Sequence, residues 1–331
     1  MTLDGEQGGP FLEAANDGRM RDEHPAVVLR DLETRRRPQA HVVTFANEKG
    51  GVGKSTLAFH CAVALAHRGL QVLVVDCDRR QQTLQRHLEA RDGTSRALKV
   101  ALPRPRHVLL DKQSSAVLVQ EIARVGADCD FVVIDLPGQD SPFARRAIAL
   151  SDTVVTPINP SPTDLDALGL INPVTHRFRQ AGPFAAMVGA LRDERIAREH
   201  SAFDWIVAKN RVRHGEHRML QAVDASLATM ARHLGFRTIE GLTERVGYRE
   251  TLSFGLTQFD LRLIPGLGTA RTANVRELTQ LLDELQLPDL VGVRRVPAPP
   301  KPAAPLNATA VQSFRDAVSG TVRVRTAANL A

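Results

Sequence analysis

The stretch NEKGGVGKST, residues 47–56, constrains this chain more than any other. It follows an apolar run, HVVTFAN (41–47), and opens a helical pattern, STLAFHCAVALAHRG (55–69), closed by Gly69. A strand, a glycine-rich turn and a helix in that order form a phosphate-binding loop. The glycines turn the backbone tightly, so that several N–H groups converge on phosphate oxygens. The helix N-terminus adds partial positive charge. Gly50, Gly51, Val52 and Gly53 form the cradle, Lys54 reaches β- and γ-phosphates, and Ser55 offers a hydroxyl to Mg2+. One lysine meets that need. Lys49, five residues earlier, requires a separate explanation.

Further apolar runs recur after the loop: QVLVVDCD (71–78), DFVVIDLPG (130–138), DTVVTPINP (152–160) and WIVAKNR (205–211). They are rich in Val and Ile and read as strands buried on both faces. Helical patterns separate them, and VRELTQLLDELQL (275–287) reads as a late surface helix. Strands alternating with helices predict an α/β phosphate-loop fold, with a mainly parallel twisted sheet flanked by helices on both faces. Ligands bind such sheets at the carboxyl ends of the strands. Three carboxylates fall there. Asp76 and Asp78 alternate to the same side of one strand end, and Asp135 ends the FVVID run before Pro137-Gly138. Asp135 is placed to hold Mg2+, directly or through water.

KGGVGKST resembles the deviant phosphate loop of the ParA/MinD family of dimerising ATPases. The resemblance implies that Lys49 crosses a dimer interface and touches the partner's ATP, with one nucleotide per subunit. VVDCDRRQ, CDFVVIDLPGQDS, DTVVTPINPSPTDLDALG, DWIVAKNR and RVGYRETLSFGLTQFDL are similar to the MipZ branch, whose members position the division site. The segment at 185–205 resembles an element of that branch as well. The likeness implies that Asp78 orients the attacking water, Asp76 supports the Mg2+ shell and Asp135 is the Mg2+ carboxylate. Thr56 would touch the α-phosphate and Asn210 would read the adenine edge. Two positions depart from the pattern: Leu136 stands where Thr is usual, and Gln139 where Gly is expected.

Residues 39–292 form the expected ATPase body. Residues 1–38 read as a flexible tail ending in Arg35-Arg36-Arg37-Pro38. Residues 293–331 read as a Pro/Ala-rich linker and C-terminal tail, with weak helical spacing at Val311, Phe314 and Val318. Cys61, Cys77 and Cys129 form no metal or redox pattern and fit a reducing cytoplasm. The N-terminal stretch has acidic residues where a signal peptide needs positive charge, and no apolar run reaches membrane-spanning length.

The net charge of +6 directs attention to an acidic partner: DNA, RNA or an anionic membrane. Arginines crowd residues 209–249 with few aromatics among them, which fits duplex phosphates better than stacked single-stranded bases. Arg211, Arg213, Arg218 and Arg245 are the candidate contacts; a solvated helix face is the alternative. The resemblance implies an ATP-bound homodimer, non-specific duplex DNA, a ParB-like partition protein and FtsZ as partners. It also implies a cytoplasmic, nucleoid-associated protein enriched near cell poles. A ParA-type partition ATPase would share this machinery. A MinD-type membrane switch fits less well, because the C-terminal pattern is broken by Gly320 and has one aromatic.

Overall fold

The computed structural model describes residues 23–172, 174–175, 177–212, 217–264 and 272–288, with a few positions between 309 and 316. The chain runs α1 (Pro25–Glu33), β1 (His41–Phe45), α2 (Lys54–His67), β2 (Val72–Asp76), α3 (Thr83–Leu98), β3 (Arg106–Leu109) and α4 (Ser115–Val125). It continues β4 (Phe131–Asp135), α5 (Pro142–Leu150), β5 (Thr153–Ile158), α6 (Pro162–Leu165), β6 (Gly169–Ile171), β7 (Phe178–Ala181) and α7 (Pro183–Ala197). It ends β8 (Asp204–Lys209), α8 (His217–Leu234), β9 (Arg237–Glu240), α9 (Val246–Leu252) and α10 (Thr272–Glu284). Seven strands form one sheet in the order β3-β2-β4-β1-β5-β8-β9, and every pairing in it is parallel. β6 and β7 form a separate antiparallel hairpin. The expected α/β fold is the one observed.

Strand alternation divides the core in two. Val42, Leu73, Val75, Val132, Ile134, Val154, Trp205 and Val207 join the apolar side of α1, α4, α5, α7 and α8. Val43, Phe45, Val72, Val74, Phe131, Val133, Val155 and Ile206 join that of α2, α3, α9 and α10. α2 is buried continuously from Leu57 to Leu65, so its sequence is apolar all round rather than striped. By the same alternation Asp76 and Asp135, each next in line after a residue of the first core, point toward α2. They are register partners across β2 and β4. The three cysteines are buried and free.

The stretch expected to be a flexible tail is in part ordered. α1 starts at Pro25 with His24 as cap and buries Val28 and Leu29 against the α5/α7 side. Ions then fasten it. Arg146 of α5 bonds Glu23 at 2.7 Å and Asp31 at 2.8 Å, and Ser115 donates to Asp31 at 2.6 Å. Burial would raise the Asp31 carboxyl, but hydrogen bonds from Ser115, Arg146 and Arg35 outweigh it and hold it at about 2. At the other end, Val311 packs into a small cluster with Leu98, Val100, Leu102, Leu256 and Ile264. Phe314 and Val318 lie outside the described residues.

A buried ion pair ties α3 to the loop after α9. Arg91 donates to both oxygens of Asp260, at 2.8 and 2.7 Å, and both residues are almost fully buried. Thr257 and His67 complete the carboxylate's hydrogen bonds. Burial alone would raise this carboxyl; Arg91 and His67 override it and hold it far below its usual range. Stability from the pair is therefore present above about pH 4, the unfolded carboxyl's value, and is lost as pH falls below it. Arg91→Met leaves the carboxylate stranded and should lower unfolding stability by about 3–5 kcal/mol. Urea unfolding monitored by circular dichroism measures this, and a loss below about 1 kcal/mol would refute the assignment.

Candidate functional site: a phosphate loop with two lysines

The loop between β1 and α2 has the backbone that its glycines allow. Gly51 and Gly53 adopt φ of 76° and 96°, in the left-handed region. A Cβ on Gly53 would come within 2.1 Å of Asn210 Nδ2. That close approach has a reason: Asn210 Nδ2 donates to the Val52 carbonyl at 2.8 Å, and its Oδ1 accepts the Leu242 N–H at 3.2 Å. Both ends of this buried amide are engaged. In this structure Asn210 braces the phosphate loop from the end of β8, and its amide keeps a second N–H and a second oxygen lone pair beyond these two bonds.

Lys54 is buried, and its Nζ donates to the Lys49 carbonyl at 3.0 Å. Burial lowers its pKa, while the nearby Asp135 and Asp78 carboxylates raise it. Asp135 is fully buried, and burial pushes its carboxyl up to about 8. The Ser55 hydroxyl pulls it down, the Asp76 charge pushes it up, and Lys54 pulls it down again. Its Oδ1 has no hydrogen-bond partner. A buried carboxylate oxygen without a donor, next to a serine hydroxyl at the head of α2, suits a hard cation. Among the described residues no three His, Cys, Asp or Glu side chains are placed to hold a metal ion by themselves. Ser55 and Asp135 would therefore hold Mg2+ together with phosphate and water oxygens, as Mg2+ favours.

Asp76 is oriented by the backbone around it. Its Oδ1 accepts the Asp78 N–H and its Oδ2 the Gln85 N–H, both at 2.9 Å. It shapes the turn that carries Asp78. Asp78 Oδ1 accepts the N–H groups of Arg80 and Gln81 at 3.1 and 3.0 Å, which fixes that carboxylate at the mouth of the site. Thr56 stands in the first turn of α2, and its carbonyl accepts from His60 Nδ1 at 2.8 Å.

The segment after β4 closes down on the loop. A Cβ on Gly138 would lie 3.2 Å from Lys54 Nζ and 3.3 Å from Gly50 N. Leu136 turns to the other side of the sheet, into the core with Phe143 and Ala144. A threonine there would place its hydroxyl in apolar surroundings, so Leu136 is consistent with the local packing. Gln139 is exposed.

Lys49 lies outside the cradle. Its Nζ forms an ion pair with Asp164 of α6, a carboxylate that is almost fully buried. Asp164 Oδ2 also accepts the Asn159 N–H at 3.0 Å. Asn47 completes the arrangement by accepting the Lys49 N–H at 2.9 Å. Sequence reasoning missed Asp164, because an Asp in PSPTDLD looks like an ordinary residue of a short helix start.

The basic stretch after β8 is less free than its composition implies. Arg245 donates to Thr243 and Glu277, each at 2.6 Å, which fastens it to α10. Its charge is paired within the fold, and as a DNA contact it would exchange Glu277 for a phosphate. Lys209 is paired with Asp224 and Glu240, and Arg237 with Asp204. Arg211 and Arg249 are exposed. Arg213 and the side chain of Arg218 lie outside the described residues. No helix among the described residues is long and apolar enough to cross a membrane.

Comparison with known proteins agrees with this site. The family described as ATPase MipZ matches residues 41–289. Protein ParA of Rhizobium radiobacter is 34% identical over 123 residues, 37% of this chain and 50% of that protein. The septum site-determining protein MinD of Helicobacter pylori is 32% identical over 172 residues, 43% of this chain and 62% of that protein. The chain thus spans only about half to two thirds of the length of these curated relatives. An ATP complex of Cyanothece McdA superposes with a TM-score of 0.52 at 15% identity, over 77% of this chain and 99% of that one, a likeness of fold alone. The family match covers the phosphate loop, all seven strands of the sheet and α10, and on that evidence this chain belongs to the MipZ ATPase family, among ParA/MinD-type homologues.

Proposed function

We propose that this chain is an ATP-dependent, dimerising regulatory ATPase that binds duplex DNA non-specifically and positions the division site, acting with a ParB-like partition protein and on FtsZ. The observation that carries the reading is the division of labour between two lysines. Lys54 is buried inside the cradle, and Lys49 stands outside it with its ammonium on Asp164. A lysine aimed away from its own cradle is free to serve another.

ATP bound with Mg2+ supplies the phosphoanhydride bond to be broken and the cation that offsets its charge. The chain does the rest. The N–H groups of Gly50 to Ser55 and the Lys54 ammonium hold the phosphates, and Thr56 touches the α-phosphate. Ser55 and Asp135 hold the metal. Asp76 sets the turn that presents Asp78, and Asp78 orients the attacking water. Lys49 leaves Asp164 and reaches the partner's phosphates, so dimerisation reports nucleotide state. A two-fold dimer doubles any basic surface, which makes DNA affinity depend on ATP. The protein acts in the cytoplasm on the nucleoid, enriched toward the poles. ParB-like and FtsZ partners rest on family membership.

Arg211 and Arg249 are two of the exposed arginines of this stretch, Arg232 being another, and suit phosphate contacts. Arg211→Ala and Arg249→Ala should weaken ATP-dependent binding about equally on every duplex sequence. Each substitution should reduce the salt slope by about 1, the share of one neutralised phosphate. Arg245→Ala should leave that slope unchanged. Fluorescence anisotropy with two unrelated duplexes across a salt series measures this. Salt slopes identical to the parent's in both exposed-site variants would place the DNA surface elsewhere. In dividing cells, tagged protein grading from poles toward mid-cell supports division-site control. Evenly spaced moving foci would assign a ParA-type partition role instead.

A further inference from the structure

The antiparallel hairpin of β6 and β7 stands outside the large sheet and packs on α8. Phe178 of β7 stacks on His233 of α8, with ring centroids 4.7 Å apart and planes 19° from parallel. A Cβ on Gly169 would come within 2.9 Å of the Phe178 ring, so glycine there leaves the ring its place. The turn is fixed as well. Asn172 Oδ1 accepts the N–H groups of Val174 and Thr175, each at 2.9 Å, and the Asn172 N–H donates to the Arg177 carbonyl at 2.9 Å. Arg192 of α7 donates to the Leu234 and Gly235 carbonyls, which holds the end of α8 in place.

This support presents cations that the fold itself does not use. Phe178 turns toward α8, so strand alternation sends Arg177 and Arg179 to the opposite side, and both are exposed. Neither side chain has a hydrogen bond or ion pair with another described residue. Arg232, next to His233, is exposed and reaches Thr229 at 3.4 Å. Exposed arginines elsewhere are spent within the fold: Arg68, Arg106 and Arg124 each hold a carboxylate. Nor do acids lie alongside in the chain. Residues 167–192 and 225–239 contain no Asp or Glu. Of the acids that bound these stretches, Asp224 and Glu240 are already paired with Lys209. Arginines free of carboxylates on a fixed support attract a polyanion. Phe178 is the only Phe, Tyr or Trp of the hairpin, and its ring is taken by His233, so no ring is offered to single-stranded bases. Among the described residues Leu170 and Val174 are the hairpin's only exposed large apolar side chains, too few to hold a lipid surface.

We propose that the β6–β7 hairpin, with the C-terminal end of α8, is a contact surface for the phosphates of duplex DNA, made by Arg177, Arg179 and Arg232. This surface rests on the DNA-binding reading above and extends it to a hairpin outside residues 209–249. Fluorescence anisotropy with two unrelated duplexes across a salt series should use the full chain saturated with Mg2+ and a non-hydrolysable ATP analogue. Arg177→Ala combined with Arg179→Ala should lower affinity at least tenfold on both duplexes and reduce the salt slope by about 2, one for each phosphate contact removed. Arg232→Ala should reduce it by about 1. Arg177→Lys combined with Arg179→Lys should keep most of the slope, because a phosphate contact needs the charge. Affinity for the analogue and molar mass by light scattering should match the parent's in every variant. A parent that binds duplex, with a slope that the alanine variants leave unchanged, would overturn the hairpin surface and leave the DNA reading to Arg211 and Arg249. A parent that binds no duplex would overturn both. Vesicles of phosphatidylcholine and phosphatidylglycerol form the last arm. Loss of vesicle binding in the alanine variants, with duplex binding kept, would overturn the proposal in favour of a lipid surface.

Discussion

Lys54→Ala should lose ATP almost entirely, with Kd raised about 100-fold or more, equivalent to about 2.7 kcal/mol. Two effects add. The β- and γ-phosphates lose the one cation buried inside the cradle. Asp78 and Asp135 then remain beside the loop without the ammonium that balances them. A triphosphate approaching that site meets net negative charge in partly buried surroundings, where charges are poorly screened. The folded chain should survive, because the Lys54 hydrogen bond serves only the Lys49 carbonyl. Titration with a fluorescent ATP analogue, beside a circular dichroism spectrum, measures the loss. Affinity within fivefold of the parent's would mean that the phosphates sit elsewhere.

The centre of the fold was legible because β1, β2, β4, β5 and β8 are buried on both faces and leave unbroken runs of Val, Ile and Leu. β3 and β9 were not legible. They are the edges of the sheet, four residues each, and RHVL and RTIE carry charged residues because one side meets solvent. The hairpin GLI/FRQA is short, half exposed and without a recognisable two-residue turn. α1 was hidden for another reason. It is only nine residues long, and much of its hold comes from Glu23, Asp31 and Glu33 reaching arginines far along the chain. Pairing at long range leaves no local signal. The same holds for the site. The loop residues are contiguous and read directly, whereas Asp164, 115 residues beyond Lys49, is visible only in three dimensions. For Arg245 composition showed the cation but not its partner Glu277, which lies 32 residues away.

Lys49 is the residue on which the dimer mechanism turns. Its half-exposed ammonium is held by the almost fully buried Asp164 carboxylate, so leaving uncovers a buried charge and the partner's phosphates must outweigh that cost. Phosphates on a partner subunit offer more negative charge than one carboxylate. Asp164→Asn should therefore free the lysine and let dimers form at up to about fivefold lower protein concentration, the equivalent of about 1 kcal/mol. Lys49→Ala should keep ATP, since the Lys54 cradle is intact, but lose the bridge between subunits. Hydrolysis should fall about 100-fold or more, in line with the loss of a cation supplied in trans to a transferring phosphoryl group. The direct measurement is molar mass by light scattering for Lys49→Ala and its parent, each with saturating ATP and Mg2+. The parent should have twice the chain mass and Lys49→Ala a single chain mass with nucleotide bound. A Lys49→Ala protein that dimerises with ATP as the parent does would contradict the trans role of this lysine.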